Sequence, residues 1–140
     1  MQQRTPIRLA LAHLVQNPAL AQLVSERQKL PDCDLQGMEI YREIIDFCAK
    51  HPNMTTAQLL ELWRDHPAQP HLRTLAIWPI KGESSHQVQE FKDALIGLEL
   101  EWTRVLRARM KEIVSLSKEE KEMHSELLRR EQELKQLLAQ

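Results

Sequence analysis

Glycine is scarce in this chain, with 3 in 140 residues, and aromatic side chains make up only 4%. So few, scattered glycines leave no room for a phosphate-cradling loop or a G-x-S-x-G nucleophile elbow, both of which need several at fixed spacing. Few aromatics and no sustained polar-apolar alternation argue against a sheet. Charge of one sign is missing too. Lys and Arg total 19 against 20 Asp and Glu, a net charge of -1, so the chain as a whole has no electrostatic reason to coat nucleic acid, and any contact with phosphates is local.

The two cysteines, Cys33 and Cys48, sit in no metal or redox spacing, and neither a long apolar run nor a signal-peptide pattern occurs. A reducing cytoplasm is expected, with the thiols idle or buried, or joined in one intramolecular disulfide as the alternative. No H-E-x-x-H occurs, and none of His13, His51, His66, His71, His86 and His124 pairs with another at i,i+3 or i,i+4. The expectation is therefore no metal, no cofactor and no catalytic residue.

What is present is helix-forming. The chain has the length of one domain, 42% apolar residues, and an abundance of Leu, Ala, Glu, Gln, Lys and Arg. Thr5-Pro6 offers an N-cap followed by an N1 proline, opening a helix with Ile7, Leu11, Leu14 and Val15 that runs to about Gln16. Asn17-Pro18 repeats the device for a short helix through Leu20 and Leu23. A polar loop from Ser25 to Gln36 leads through Gly37 to a helix with Ile40, Ile44, Ile45 and Cys48, ended by His51, Pro52 and Asn53. Thr55 with Gln58 predicts a capping box for a helix carrying Leu59, Leu60, Leu62 and Trp63. A turn at Pro67 and Pro70 is expected to precede a fifth helix with Leu72, Leu75, Ala76 and Trp78, ended by Pro79.

Beyond Gly82 to Ser85 no proline occurs, and Val88, Phe91, Leu95, Leu98, Trp102, Leu106, Met110 and Ile113 recur every three or four residues, one long amphipathic helix. Ser117 with Glu120 predicts a second capping box and a last helix with the stripe Met123, Leu127, Leu128, Leu134, Leu137 and Leu138, interrupted by Arg130 and Glu131. A reversal at Ser115 to Ser117 folds this helix back on the end of the long one. The expected class is all-α: a bundle over 1–83, a stem helix over 84–114 whose near half packs on the bundle, and a C-terminal helix over 115–140 forming a hairpin with the end of the stem.

Local strings along the whole chain resemble one family. Arg4-Thr5-Pro6-Ile7-Arg8 leading to Leu14-Val15-Gln16-Asn17-Pro18 is similar to the opening helix of the C-terminal helicase-binding domain of bacterial, DnaG-type DNA primase. Leu35-Gln36-Gly37-Met38 resembles its L-P-G-L turn, with Gln36 in place of proline. Thr55-Thr56-Ala57-Gln58-Leu59-Leu60-Glu61 with Trp63-Arg64, then Leu75, Ile77 and Trp78, then Phe91, Asp93, Ala94 and Leu95, and last Leu116-Ser117-Lys118-Glu119-Glu120 follow in register. The resemblance implies a helical subdomain, a stem and a terminal hairpin, with zinc-binding and polymerase portions upstream.

It also implies function. In that family the module docks primase on the N-terminal collar of the hexameric replicative helicase, coupling primer synthesis to fork unwinding. Leu127 and Leu128 are adjacent and point about 100° apart, as do Leu137 and Leu138, so one of each pair faces away from the hairpin seam. With Arg130, Gln132, Leu134 and Lys135 they are the expected helicase-binding residues, Gln132-Glu133-Leu134 resembling a Q-E-L string of the family tail. Some members capture the acidic tail of single-stranded DNA-binding protein, and the matching positions here are Arg4, Ile7, Arg8, Leu11 and Arg73, with Gln3 and Thr74 standing where lysines occur. The basic run Arg104, Arg107, Arg109 and Lys111 reads as a solvated face, with partner recognition as the alternative. A monomer is expected, and the competing class is a self-pairing coiled coil through Val88, Phe91, Leu95, Leu98 and Trp102, or a nucleic-acid-binding helical module.

Overall fold

The computed structural model describes residues 4–113 and 115–140, and among these all regular structure is helical. The chain divides into two units, residues up to Leu95 and residues from Ile96, so that the division falls inside a helix.

The first unit is built around α1 (Pro6–Gln16). Thr5 caps it by accepting a hydrogen bond from the Arg8 amide, and Ala10 to Val15 are all buried, so the helix is covered on every side. A helix with no solvated face belongs at the centre of a bundle. Around it pack a 3-10 turn at Pro18–Leu23, α2 (Met38–Lys50), α3 (Thr56–Leu62) and α4 (Gln69–Ala76). Tyr41, Ile44, Ile45, Cys48, Leu59, Leu72, Leu75 and Phe91 complete the core.

Polar side chains close the ends of these short helices. Thr56 donates to the Val15 carbonyl at 2.6 Å, and Gln16 donates to the carbonyls of Leu75 and Trp78, each at 2.9 Å. Each satisfies acceptors that a helix end leaves over. Gly37 precedes α2 at φ 94°, where a Cβ would lie 3.3 Å from Ile7 Cγ1, which explains the glycine. The loop before it is not loose. Arg42 donates to the carbonyls of Leu30 and Cys33, the Tyr41 hydroxyl donates to Gln28, and Leu30 is held at φ 49°. Cys33 and Cys48 are buried free thiols, so the disulfide alternative is not realised, and burial pushes the Cys48 thiol up to about 11.

Three expected boundaries differ. Pro70 lies within the first turn of α4 rather than before it, where its missing N–H costs nothing, and Trp78 lies beyond that helix. The long helix is α5 (Ser84–Lys111), 28 residues or about 42 Å, and it stops short of Ile113. Its Ser84 to Leu95 part belongs to the first unit: the buried His13 imidazole meets Glu90 at 2.7 Å and the edge of Phe91 at a centroid distance of 6.1 Å.

The second unit is a helical hairpin of the remaining part of α5 and α6 (Lys118–Ala139). Ser117 and Glu120 form the expected capping box, and the backbone bonds of that box hold the Glu120 carboxyl below its usual range. A carboxylate here also suits the positive end of the helix dipole.

Candidate functional site: the terminal hairpin

Of α6, only Glu131 and Leu134 are buried. Leu134, at 1% exposure, is the apolar centre of the seam. The family resemblance places it among the expected helicase-binding residues, and in this chain it faces inward. Leu128 is 38% exposed, Leu137 42% and Leu138 39%, with Met123 exposed further along. Of the adjacent leucines, Leu127 is more covered than Leu128, while Leu137 and Leu138 are both exposed. They straddle the direction of Leu134 at about 60° to one side and 40° to the other. Gln132 and Lys135 are exposed as expected.

The two residues that interrupt the leucine stripe make ion pairs across the hairpin. Arg130 donates from Nε and Nη2 to both oxygens of Glu99, at 2.7 and 2.9 Å, and reaches Glu133 at 3.1 Å. That bidentate grip raises the guanidinium further above its ordinary value. Glu131 accepts from Arg107, and from Arg104 at 3.3 Å, with Lys135 at 3.5 Å. Burial pushes the Glu131 carboxyl up, but the hydrogen bonds from Arg107 and Arg104 outweigh it, and the net shift is below the ordinary value. Arg109 lies over the Trp102 ring at 5.3 Å. Arg104 and Arg107 are thus engaged with Glu131 and Arg109 with Trp102, while Arg104, Arg109 and Lys111 stay exposed, and Arg130 is committed inside the hairpin. Sequence periodicity registers this pair only as a break in the stripe.

The positions expected to hold an acidic tail are dispersed over the first unit. Arg4 donates to the Pro79 carbonyl at 2.8 Å and lies over the Trp78 ring, lining a cleft with Pro6, Leu9 and Lys81. Leu11 is buried in the core, while Ile7 is half-buried. Arg8 stands near His71, whose imidazole is pushed down by burial and then by the Arg8 charge. Arg73 lines a separate cleft with Leu60, Thr74 and Ile77, and Gln3 lies outside the described residues.

No group of three or more His, Cys, Asp or Glu side chains that could hold a metal ion exists among the described residues, and no helix there is long and apolar enough to cross a membrane. Capped short helices packed as a bundle, and a helical hairpin that leaves leucines exposed, define the class: an all-α module.

The sequence comparisons place it more closely. Residues 7–134 match the family described as DNA primase DnaG DnaB-binding, and the chain belongs to that family. What is matched is thus the DnaB-binding part of primase and not its catalytic part. The chain is 33% identical over 112 residues to the DNA primase of Escherichia coli K12, a stretch covering 80% of this chain and 19% of that protein. It is 43% identical over 75 residues to the DNA primase of Buchnera aphidicola from Acyrthosiphon pisum, covering 54% of this chain and 13% of that protein. The chain therefore spans less than a fifth of these curated relatives. The DnaG primase C-terminal domain from Vibrio cholerae superposes with a TM-score of 0.70 at 31% identity, covering 89% of this chain and 96% of that domain.

Proposed function

We propose that this chain docks bacterial primase on the N-terminal collar of the hexameric replicative helicase DnaB, in the cytoplasm at the replication fork, so that RNA primer synthesis keeps pace with unwinding. The observation that carries the reading is the pair of exposed leucines at the end of α6, Leu137 and Leu138, with Leu128, Gln132 and Lys135 exposed on the preceding turns, on a chain of the DnaB-binding family. Apolar anchors within a polar rim are the usual layout of a binding hot spot. Burying the exposed part of each leucine contributes roughly 1–2 kcal/mol, against about 8 kcal/mol for a micromolar complex, so three anchors need polar contacts beside them.

The coiled-coil alternative loses its surface: Phe91, Leu95, Leu98 and Trp102 are already buried within a single chain. Gel filtration with light scattering, with and without the DnaB N-terminal domain, tests both readings. Docking predicts a monomer that co-migrates with the helicase domain, whereas a dimer that ignores it would overturn the proposal.

A second role follows from the cations of the first unit. Arg8 beside α4, with Arg73 exposed on it, supports capture of the acidic tail of single-stranded DNA-binding protein, weakly and with strong salt sensitivity because Arg4 is engaged with Pro79 and Trp78. A labelled acidic peptide titrated at low salt should bind saturably, and binding that survives Arg8→Ala would rule this site out.

A further inference from the structure

The hairpin has a problem that its leucines alone do not solve. Two amphipathic helices can pair in registers that differ by one turn, about 5.4 Å, and a slip of α6 by three or four residues in one direction puts Leu137 or Leu138 where Leu134 sits. The polar contacts distinguish them. Arg130 and Glu131 are adjacent and of opposite charge, and they meet Glu99 on one side and Arg104 with Arg107 on the other. Both carboxylates are buried, so every lost pairing leaves charge away from water.

Displacing α6 by four residues in one direction brings Glu126 to Glu99 and Leu127 to the two arginines. The opposite displacement brings Leu134 to Glu99 and Lys135 to the arginines. A displacement by three brings either Glu133 to Glu99 or leucines to all the charges. Between Met123 and Leu137 no other cation is followed directly by an anion. Every register within two turns except the observed one therefore sets like charges together or strands them.

We propose that Glu99, Arg104, Arg107, Arg130 and Glu131 are positioning residues, an ionic clasp that fixes the register of α6 on α5 and so sets where Leu128, Leu137 and Leu138 are presented. The part concerning presentation rests on the docking reading above, while the part concerning register does not. Buried ion pairs are generally poor stabilisers compared with apolar packing, and selection of one register among near-equals is their best-attested use.

The test needs a readout of register that is independent of the helicase. Spin labels on the full chain at Ala108→Cys and Glu126→Cys, both exposed positions of the hairpin, report the α5–α6 distance, and the native thiols are buried. The parent should give one narrow distance population. Arg130→Glu should broaden or split it, and Glu99→Arg with Arg130→Glu should restore a single population. If the competent register falls to about a tenth, apparent affinity for the DnaB N-terminal domain falls about tenfold, and the double exchange recovers it. An unchanged narrow distribution in Arg130→Glu, or failure of the double exchange to restore it, overturns the clasp. Full DnaB affinity in a variant whose distances have broadened leaves the register assignment standing and refutes the docking face.

Discussion

Replacing Leu134 by alanine separates what holds the hairpin together from what it displays. Leu134 is 1% exposed and is the one apolar side chain of α6 that is buried. Deleting a fully buried leucine costs about 2–5 kcal/mol, from lost transfer energy plus the cavity left behind, and less where the surroundings can collapse. A two-helix hairpin relaxes easily, so about 2–3 kcal/mol is expected here. That loss multiplies the open fraction of the hairpin by roughly 30 to 150, while the first unit, whose core lies among α1 to α4, keeps its own stability. Native-state hydrogen exchange reads the two units separately: α6 amides should lose about one and a half to two decades of protection in Leu134→Ala, and α1 amides none. Unchanged protection in α6 would show that Leu134 is not the centre of the seam. Equal losses in α1 and α6 would show one cooperative unit instead of two.

Other expectations follow from named contacts. Removing 118–140 should leave the first unit with a cooperative melting transition, and its loss would make the hairpin part of that core. The lowered carboxyl of Glu131 contributes stability that is fully present above the ordinary carboxylate value and disappears as pH falls through its lower folded value, so hairpin stability should drop on acidification below about 4.5, with Glu131→Gln flattening that acid limb in a pH-melting series. Arg42→Ala strips the carbonyls of Leu30 and Cys33 of their donor and should cost about 1–3 kcal/mol in chemical denaturation, with faster proteolysis between Ser25 and Gln36. The purified chain should synthesise no primer on single-stranded template, since what it matches is the DnaB-binding part of primase, and primer formation would refute this.

Helix starts are the most legible feature of the sequence, because a cap is local chemistry. Thr5, Thr55 with Gln58, and Ser117 with Glu120 all cap as the residue order predicts. The stripe of α5 is equally readable, since Phe91, Leu95 and Leu98 are buried at the predicted spacing. What periodicity does not reveal are contacts between residues distant in sequence. Arg42 organising the loop nine to twelve residues before it, Gln16 finishing α4, and the His13–Glu90 pair leave no local pattern. The clasp is hidden for a sharper reason: a charged pair inside a leucine stripe looks like solvent-facing interruption until the partner charges on α5 are brought opposite. Leu134 enters the expected contacts through the family's Q-E-L string, and a string match carries no information on which way a side chain faces.

The most direct measurement is a calorimetric titration of the DnaB N-terminal domain with the full chain and with Leu137→Ala/Leu138→Ala, in parallel with melting of each protein. Losing two partly exposed anchors, at roughly 1–2 kcal/mol apiece, predicts affinity lower by about 30- to 1000-fold, with the transition of the first unit unmoved. Undiminished binding by that variant would move the interface off the end of α6, and absence of saturable binding by the unaltered chain would contradict the docking function itself.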